Sequence, residues 1–175
     1  MIRESEHKYL RRCVELAREA LDAGDEPFGS VLVDAAGRLR AEDRNRVSSG
    51  DATRHPEFEL ARWAGIHMSS AERTGATVYT SGEHCPMCAA AHGWVGLGRI
   101  VYIVSSKQLG IWLAEIGVGP SPVRSYPASE IAPVTRRLAR RARARITNVN
   151  AGHLSLISEA GAVARVITKA ARPAS

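Results

Sequence analysis

Two short strings thirty residues apart constrain this chain more than anything else in it: His55-Pro56-Glu57 and Cys85-Pro86-Met87-Cys88. The first supplies an imidazole and, two residues on, a carboxylate. The second supplies two sulfurs at metal-ligand spacing. Three such donors suit zinc, and three protein ligands leave the fourth tetrahedral position open, as in a catalytic rather than a structural site. Any fold for this chain must bring the two strings together. Each also reads as a helix start, because proline is favoured at the first helical position, where its missing N–H costs nothing. His55 and Cys85 then fall at N-cap positions, and two helix N-termini point at one metal. Their positive ends favour thiolate over thiol. Cys85 and Cys88, three apart on a first turn, face the same side.

The flanking sequence fits this frame. An amphipathic helix is expected from about Glu6 to Ala23, with Gly24 as its C-terminal stop. Val31 to Asp34 and Gly37 to Arg46 read as a hairpin around Asp34-Ala35-Ala36-Gly37. A helix from His55 to about Met68, a strand Ala76–Thr80, a helix Pro86 to about Val95 and a strand Arg99–Val104 follow. This alternation predicts an α/β sheet covered on both faces. Lys107–Ile116 suits a helix, and Pro120, Pro122 and Pro127 mark a loop. Glu130–Arg145 reads as helical, Leu154–Thr168 suits helix or strand, and the Ala/Arg/Pro/Ser end reads as frayed.

At 175 residues the chain has length for one substantial core. We read residues 1–150 as the zinc-bearing domain and 151–175 as a C-terminal extension. Three cysteines make no disulfide framework. Cys13, amid the apolar positions of the first helix, reads as a buried inert thiol. The charged start MIRESEHKYL does not resemble a signal peptide, and no stretch approaches the roughly 18 apolar residues of a membrane span. The expectation is a cytoplasmic chain with no membrane partner. The net charge of +6 is local: without Arg136, Arg137, Arg140, Arg141, Arg143 and Arg145 the rest is neutral. Such a run is a solvated helix face or a phosphate-binding patch, and Arg136–Arg145 is where nucleic acid would bind.

Alternatives exist for the cysteine string. A redox pair needs a thioredoxin-like setting and leaves His55 and Glu57 unexplained. A structural zinc site needs a fourth ligand, for which His84 and His92 are at hand in sequence. With zinc and Glu57 together, a hydrolytic reaction follows. The metal acidifies water and Glu57 takes its proton.

The H-x-E and C-x-x-C strings, with Pro27-Phe28-Gly29-Ser30-Val31, Asn45-Arg46-Val47, Thr80-Ser81-Gly82-Glu83 and Gly98-Arg99-Ile100-Val101-Tyr102, resemble the cytidine deaminase-like zinc deaminase superfamily. The resemblance covers about residues 5–116 and is nearest the guanine deaminase and nucleobase deaminase branch. It implies a three-layer α/β/α sandwich with a five-stranded mixed sheet, usually as a homodimer. It implies Zn²⁺ held by His55, Cys85 and Cys88, with Glu57 as the catalytic proton shuttle. It further implies Asn45 hydrogen-bonding the substrate ring, Phe28 packing on the base, Trp94 as a pocket tryptophan and Glu115 near a second acidic shuttle. The implied reaction is hydrolytic deamination of a small nucleobase-like molecule, an aminopurine (guanine-like) or an s-triazine foremost.

Two positions depart from the family pattern. The residue between His and Glu is commonly small and can offer a backbone N–H to a ring carbonyl; Pro56 has none. The residue before Cys85 is His84 where the family carries proline, and His84 lines the pocket or faces solvent. Other readings are a tRNA adenosine deaminase, motivated by the arginine run, a cytosine or cytidine deaminase, and a non-catalytic zinc module. Val104-Ser105-Ser106 stands where the tRNA enzymes carry Asp and Lys.

Overall fold

The computed structural model describes residues 4–132. After a 3-10 turn at Glu4–Glu6 come α1 (His7–Asp22), β1 (Gly29–Val33), β2 (Leu39–Arg44), α2 (Pro56–His67), α3 (Ser70–Gly75), β3 (Thr77–Gly82), α4 (Pro86–Trp94), β4 (Arg99–Val104), α5 (Ser106–Glu115) and α6 (Ala128–Ile131). The four strands form one mixed sheet in the order β2-β1-β3-β4. β1 pairs antiparallel with β2 and β3, and β3 pairs parallel with β4.

Alternation along the strands decides the layers. Val31, Val33, Tyr79 and Val101 pack with Cys13 and Leu16 of α1 on one face. Leu32 and Val78 pack with Leu60, Ala61 and Ala64 of α2 on the other. Side chains one apart on a strand point to opposite faces, so every residue of β1 is buried. α5 joins the α1 face through Trp112, Leu109 and Leu113, which pack with Val104 and Val14. Gly29 lets α1 approach the sheet. A Cβ there would lie 2.4 Å from Leu16 Cβ and 2.6 Å from the Cys13 carbonyl oxygen.

The β1–β2 turn is held by Asp34, whose Oδ1 accepts the N–H groups of Ala36 and Arg38, with Gly37 at φ +79°. Cys13 is fully buried, and burial pushes its thiol pKa up.

The expected fifth strand is not among the described residues, which carry four. Residues 116–127 hold three prolines and supply part of a cavity lining rather than pairing with β4. Helix α3 was not anticipated. Ser69 and Glu72 form a complete capping box at its start. No helix among the described residues is long and apolar enough to cross a membrane. The 150/151 boundary, the helix expected to Arg145, the Arg136–Arg145 run and Leu154–Thr168 lie outside the described residues.

Candidate active site

Each string does open a helix. His55 is the N-cap of α2 with Pro56 in its first turn, and Cys85 is the N-cap of α4 with Pro86 in its first turn. A tetrahedral zinc with bonds of about 2.3 Å to sulfur and about 2.1 Å to nitrogen spaces its donors about 3.6–3.8 Å apart. Here the Cys85 and Cys88 Sγ atoms are 3.5 Å apart, and His55 Nδ1 lies 3.6 and 3.7 Å from them. The donor set fits the ion in chemistry and spacing. These three residues are the metal-capable group among the described residues. The hydrogen bond between Cys85 and Cys88, with His55 beside it, holds the Cys85 thiol down to about 4. Cys88 keeps its proton, pushed up by that same bond and by burial. The bond to Cys85 raises the His55 pKa.

The structural-zinc alternative finds no fourth ligand here. His84 is fully buried and faces neither solvent nor the cavity. Its ring meets His92 edge-on at 5.3 Å, and both of its ring nitrogens lack a partner. Burial pushes its pKa down. The His92 Nε2 lies 2.9 Å from the Gly98 carbonyl oxygen.

Glu57 sits in the first turn of α2, buried, on the wall of a cavity of about 560 Å³. That volume suits a small molecule. The Ser30 hydroxyl donates to Glu57 Oε1 at 2.9 Å and the Thr80 hydroxyl at 2.7 Å. Burial raises the Glu57 pKa, and the Thr80 bond partly offsets it. His55 and Cys85 line the cavity beside Glu57. Phe28, Glu26 and Glu83 line it too, with Leu109, Leu113 and Ala114 of α5 and part of the proline-bearing segment.

The other expected residues divide. Phe28 lines the cavity, and its ring lies so close to Gly82 that a Cβ there would meet Phe28 Cε1 at 2.9 Å. Asn45 is fully buried and outside the cavity lining; its Oδ1 accepts the Val47 N–H while its Nδ2 has no partner. Trp94 ends α4, 90 % exposed and outside the cavity lining. Glu115 ends α5, exposed and also outside the lining, although its neighbour Ala114 is in it.

Sequence reasoning missed Ser30, Thr80, Glu26 and Glu83. Ser30 lies within the Pro27–Val31 string that carries the resemblance, but no role attached to it there. Glu83 had no signal, since its partners are the distant backbone N–H groups of Ser106 and Ala128.

Comparison with known proteins agrees with this geometry. A protein of Schizosaccharomyces pombe named as a probable cytosine deaminase is 34% identical over 106 residues, 61% of this chain and 64% of that one. The guanine deaminase of Bacillus subtilis is 38% identical over 96 residues, 54% of this chain and 61% of that one. The match thus spans less than two thirds of the length of these curated relatives. The X-ray structure of the Bacillus subtilis guanine deaminase superposes with a TM-score of 0.52 at 28% identity, covering 76% of this chain and 91% of that one. The family described as the cytidine and deoxycytidylate deaminase zinc-binding region matches residues 3–104, a span that holds His55, Glu57, Cys85 and Cys88. The chain belongs to this family of zinc-binding deaminases.

Proposed function

We propose that this chain is a zinc-dependent hydrolytic deaminase of a free aminated heterocycle, an aminopurine (guanine-like) or an s-triazine foremost. The observation that carries this reading is the buried Glu57 carboxylate on a small-molecule cavity beside the His55/Cys85/Cys88 donors. Zinc, when bound, supplies a Lewis acid that acidifies a water at the fourth position. The chain's own part is to move protons and hold the ring. Glu57, its pKa raised by burial, accepts the water proton and passes it to a ring nitrogen. It carries the second proton to the departing amine. The carbon–nitrogen bond breaks, the water oxygen stays on the ring, and ammonia leaves.

Phe28 supplies an apolar face for the ring. Pro56 offers no N–H, which disfavours a 2-keto pyrimidine bound through that backbone position. The relatives named for guanine support the purine side.

The test is ammonia release from a panel of free bases, nucleosides and triazines, with Glu57→Gln run in parallel. The expected result is turnover of a free aminated ring, reduced by about 10²–10⁴ in Glu57→Gln with one zinc per chain retained. Silence across the panel from zinc-loaded protein overturns the reading, and inosine formed only in a tRNA replaces it with the nucleic-acid alternative.

A further inference from the structure

Three carboxylates line the cavity, and two of them are already engaged. Glu57 accepts the Ser30 and Thr80 hydroxyls, and Glu83 gives one oxygen each to the N–H groups of Ser106 and Ala128. The third, Glu26, has a half-buried side chain for which the described residues provide no hydrogen bond and no ion pair.

The backbone around Glu26 is fixed. Its neighbour Asp25 is buried, accepts the Ser48 N–H on one oxygen and pairs with Arg44 at 2.7 Å on the other. Pro27 is buried, and the Phe28 N–H donates to the Glu26 carbonyl at 2.8 Å. Glu26 is therefore held at the cavity wall by residues that leave its carboxylate alone. It shares the cavity lining with His55 and Cys85, and burial raises its pKa. A partly desolvated carboxylate without a partner is unfavourable until a donor meets it. The apolar side chains of Leu109 and Leu113 in the same lining offer none.

Given the deaminase reading, on which this rests, we infer that Glu26 is a specificity residue whose carboxylate accepts N–H from a heterocycle carrying a second amino group besides the one removed. A carboxylate can take two parallel N–H bonds from an amidine-like edge, an amino group beside a ring N–H. A ring that presents a carbonyl at that edge meets negative charge with a lone pair and is rejected. The preferred ligand class is thus a diamino-substituted ring, purine or triazine.

The test compares 2,6-diaminopurine with 2-aminopurine, which differ by one amino group, in wild type, Glu26→Gln and Glu26→Ala, each at one zinc per chain. The expected result is a wild-type kcat/KM ratio favouring the diamino ring, reduced about tenfold or more in both variants, mainly through KM. The same pair is titrated by calorimetry into zinc-loaded Glu57→Gln, with and without Glu26→Ala. There the Kd of the diamino ring should rise about tenfold relative to the monoamino ring. A ratio that moves less than about twofold in both measurements overturns the inference while leaving the deaminase reading standing. So does failure of either ring to bind Glu57→Gln at any soluble concentration. Selective binding through Glu26 without turnover by wild type sinks the deaminase reading instead and retains Glu26 as a recognition residue.

Discussion

In the proposed reaction Glu57 holds a proton in one step and lacks it in the next, and two hydroxyls are placed to follow it. Ser30 Oγ lies 2.9 Å from both Glu57 Oε1 and Thr80 Oγ1, and Thr80 Oγ1 lies 2.7 Å from Glu57 Oε1 and 2.9 Å from the Gly82 carbonyl oxygen. Each hydroxyl has one hydrogen to give. With Glu57 ionised, both donate to it. With Glu57 protonated, Ser30 turns to Thr80 and Thr80 to Gly82, and no heavy atom moves. Donors to the charged form lower a carboxyl pKa. Thr80→Val should therefore raise the Glu57 pKa further and move the acid limb of the kcat/KM profile up by about one to two pH units, since one hydrogen bond to a charge is worth about 1.5–3 kcal/mol. Ser30→Ala should move it the same way by less, because Thr80 remains. A pH–rate profile of the two variants checks this; an unmoved limb removes the hydroxyls from the proton chemistry. The metal donors carry a second residue-scale consequence. Before metal binds, Cys85 is held low enough to be a thiolate near neutral pH, Cys88 is held up by its bond to Cys85 and by burial, and the bond to Cys85 raises the His55 pKa. Zinc requires both thiolates and a neutral imidazole, so uptake expels protons and affinity rises with pH. Calorimetry at pH 7 in two buffers of different ionisation heat should report release of about one proton or more per zinc. No buffer dependence would mean that the donors are not paired in the metal-free protein as they are here.

Helices α5 and α6 are tied together by one side chain outside either. Glu83, between β3 and α4, caps the first N–H of each. It thereby ties the wall formed by Leu109 and Leu113 to the loop that carries Cys85. Glu83→Ala frees both N–H groups. The expected loss is about 1–2 kcal/mol per cap in urea unfolding, together with a higher KM and unchanged zinc content. Glu83→Gln should lie between, since an amide has one acceptor oxygen where the carboxylate has two. Zinc loss in Glu83→Ala would show instead that the loop itself had collapsed. The contrast between Glu83 and His55 shows what can be read from the chain. Pro56 and Pro86 are local signals, so both helix starts, and the metal donors they carry, are legible in the amino-acid sequence alone. So are the period-2 strands and Gly24, which ends α1 at φ +83°. The capping box at Ser69 is legible too, but lies in a short polar stretch without apolar periodicity. Contacts such as Glu83 with Ser106 and Ala128, or Ser30 with Thr80 fifty residues on, depend on how elements pack, and no local pattern encodes them. The same holds for Trp94 and Glu115: resemblance gave them roles, while helix phase puts both in solvent in this chain.

Across the whole molecule, the zinc donors join two helices that the sheet holds side by side, so metal affinity and folding are linked. An ion that binds only the folded state adds about 2.7 kcal/mol when free zinc is a hundredfold above Kd. That contribution falls as pH drops below neutral, because protons compete at His55 and at the thiols. A second contribution fails lower down. Burial pushes the Asp25 carboxyl up, but the bonds from Ser48 and Arg44 outweigh it and hold its folded pKa below the usual value. A carboxyl depressed in this way stabilises the fold above its unfolded pKa of about 3.9, and the stability is lost as pH falls through the folded value. Acid should therefore destabilise the protein in two separable stages. Urea midpoints of zinc-loaded and chelator-treated protein should differ at pH 7 and converge by about pH 5, with both falling again below about pH 4. Asp25→Asn should flatten only the lower stage, since asparagine can still accept from Ser48 but carries no charge for Arg44. Cys85→Ser with Cys88→Ser should abolish only the upper one. Midpoints that fall together in a single step, unchanged by either substitution, would show that the metal centre and the Asp25–Arg44 anchor are not independent supports of this fold.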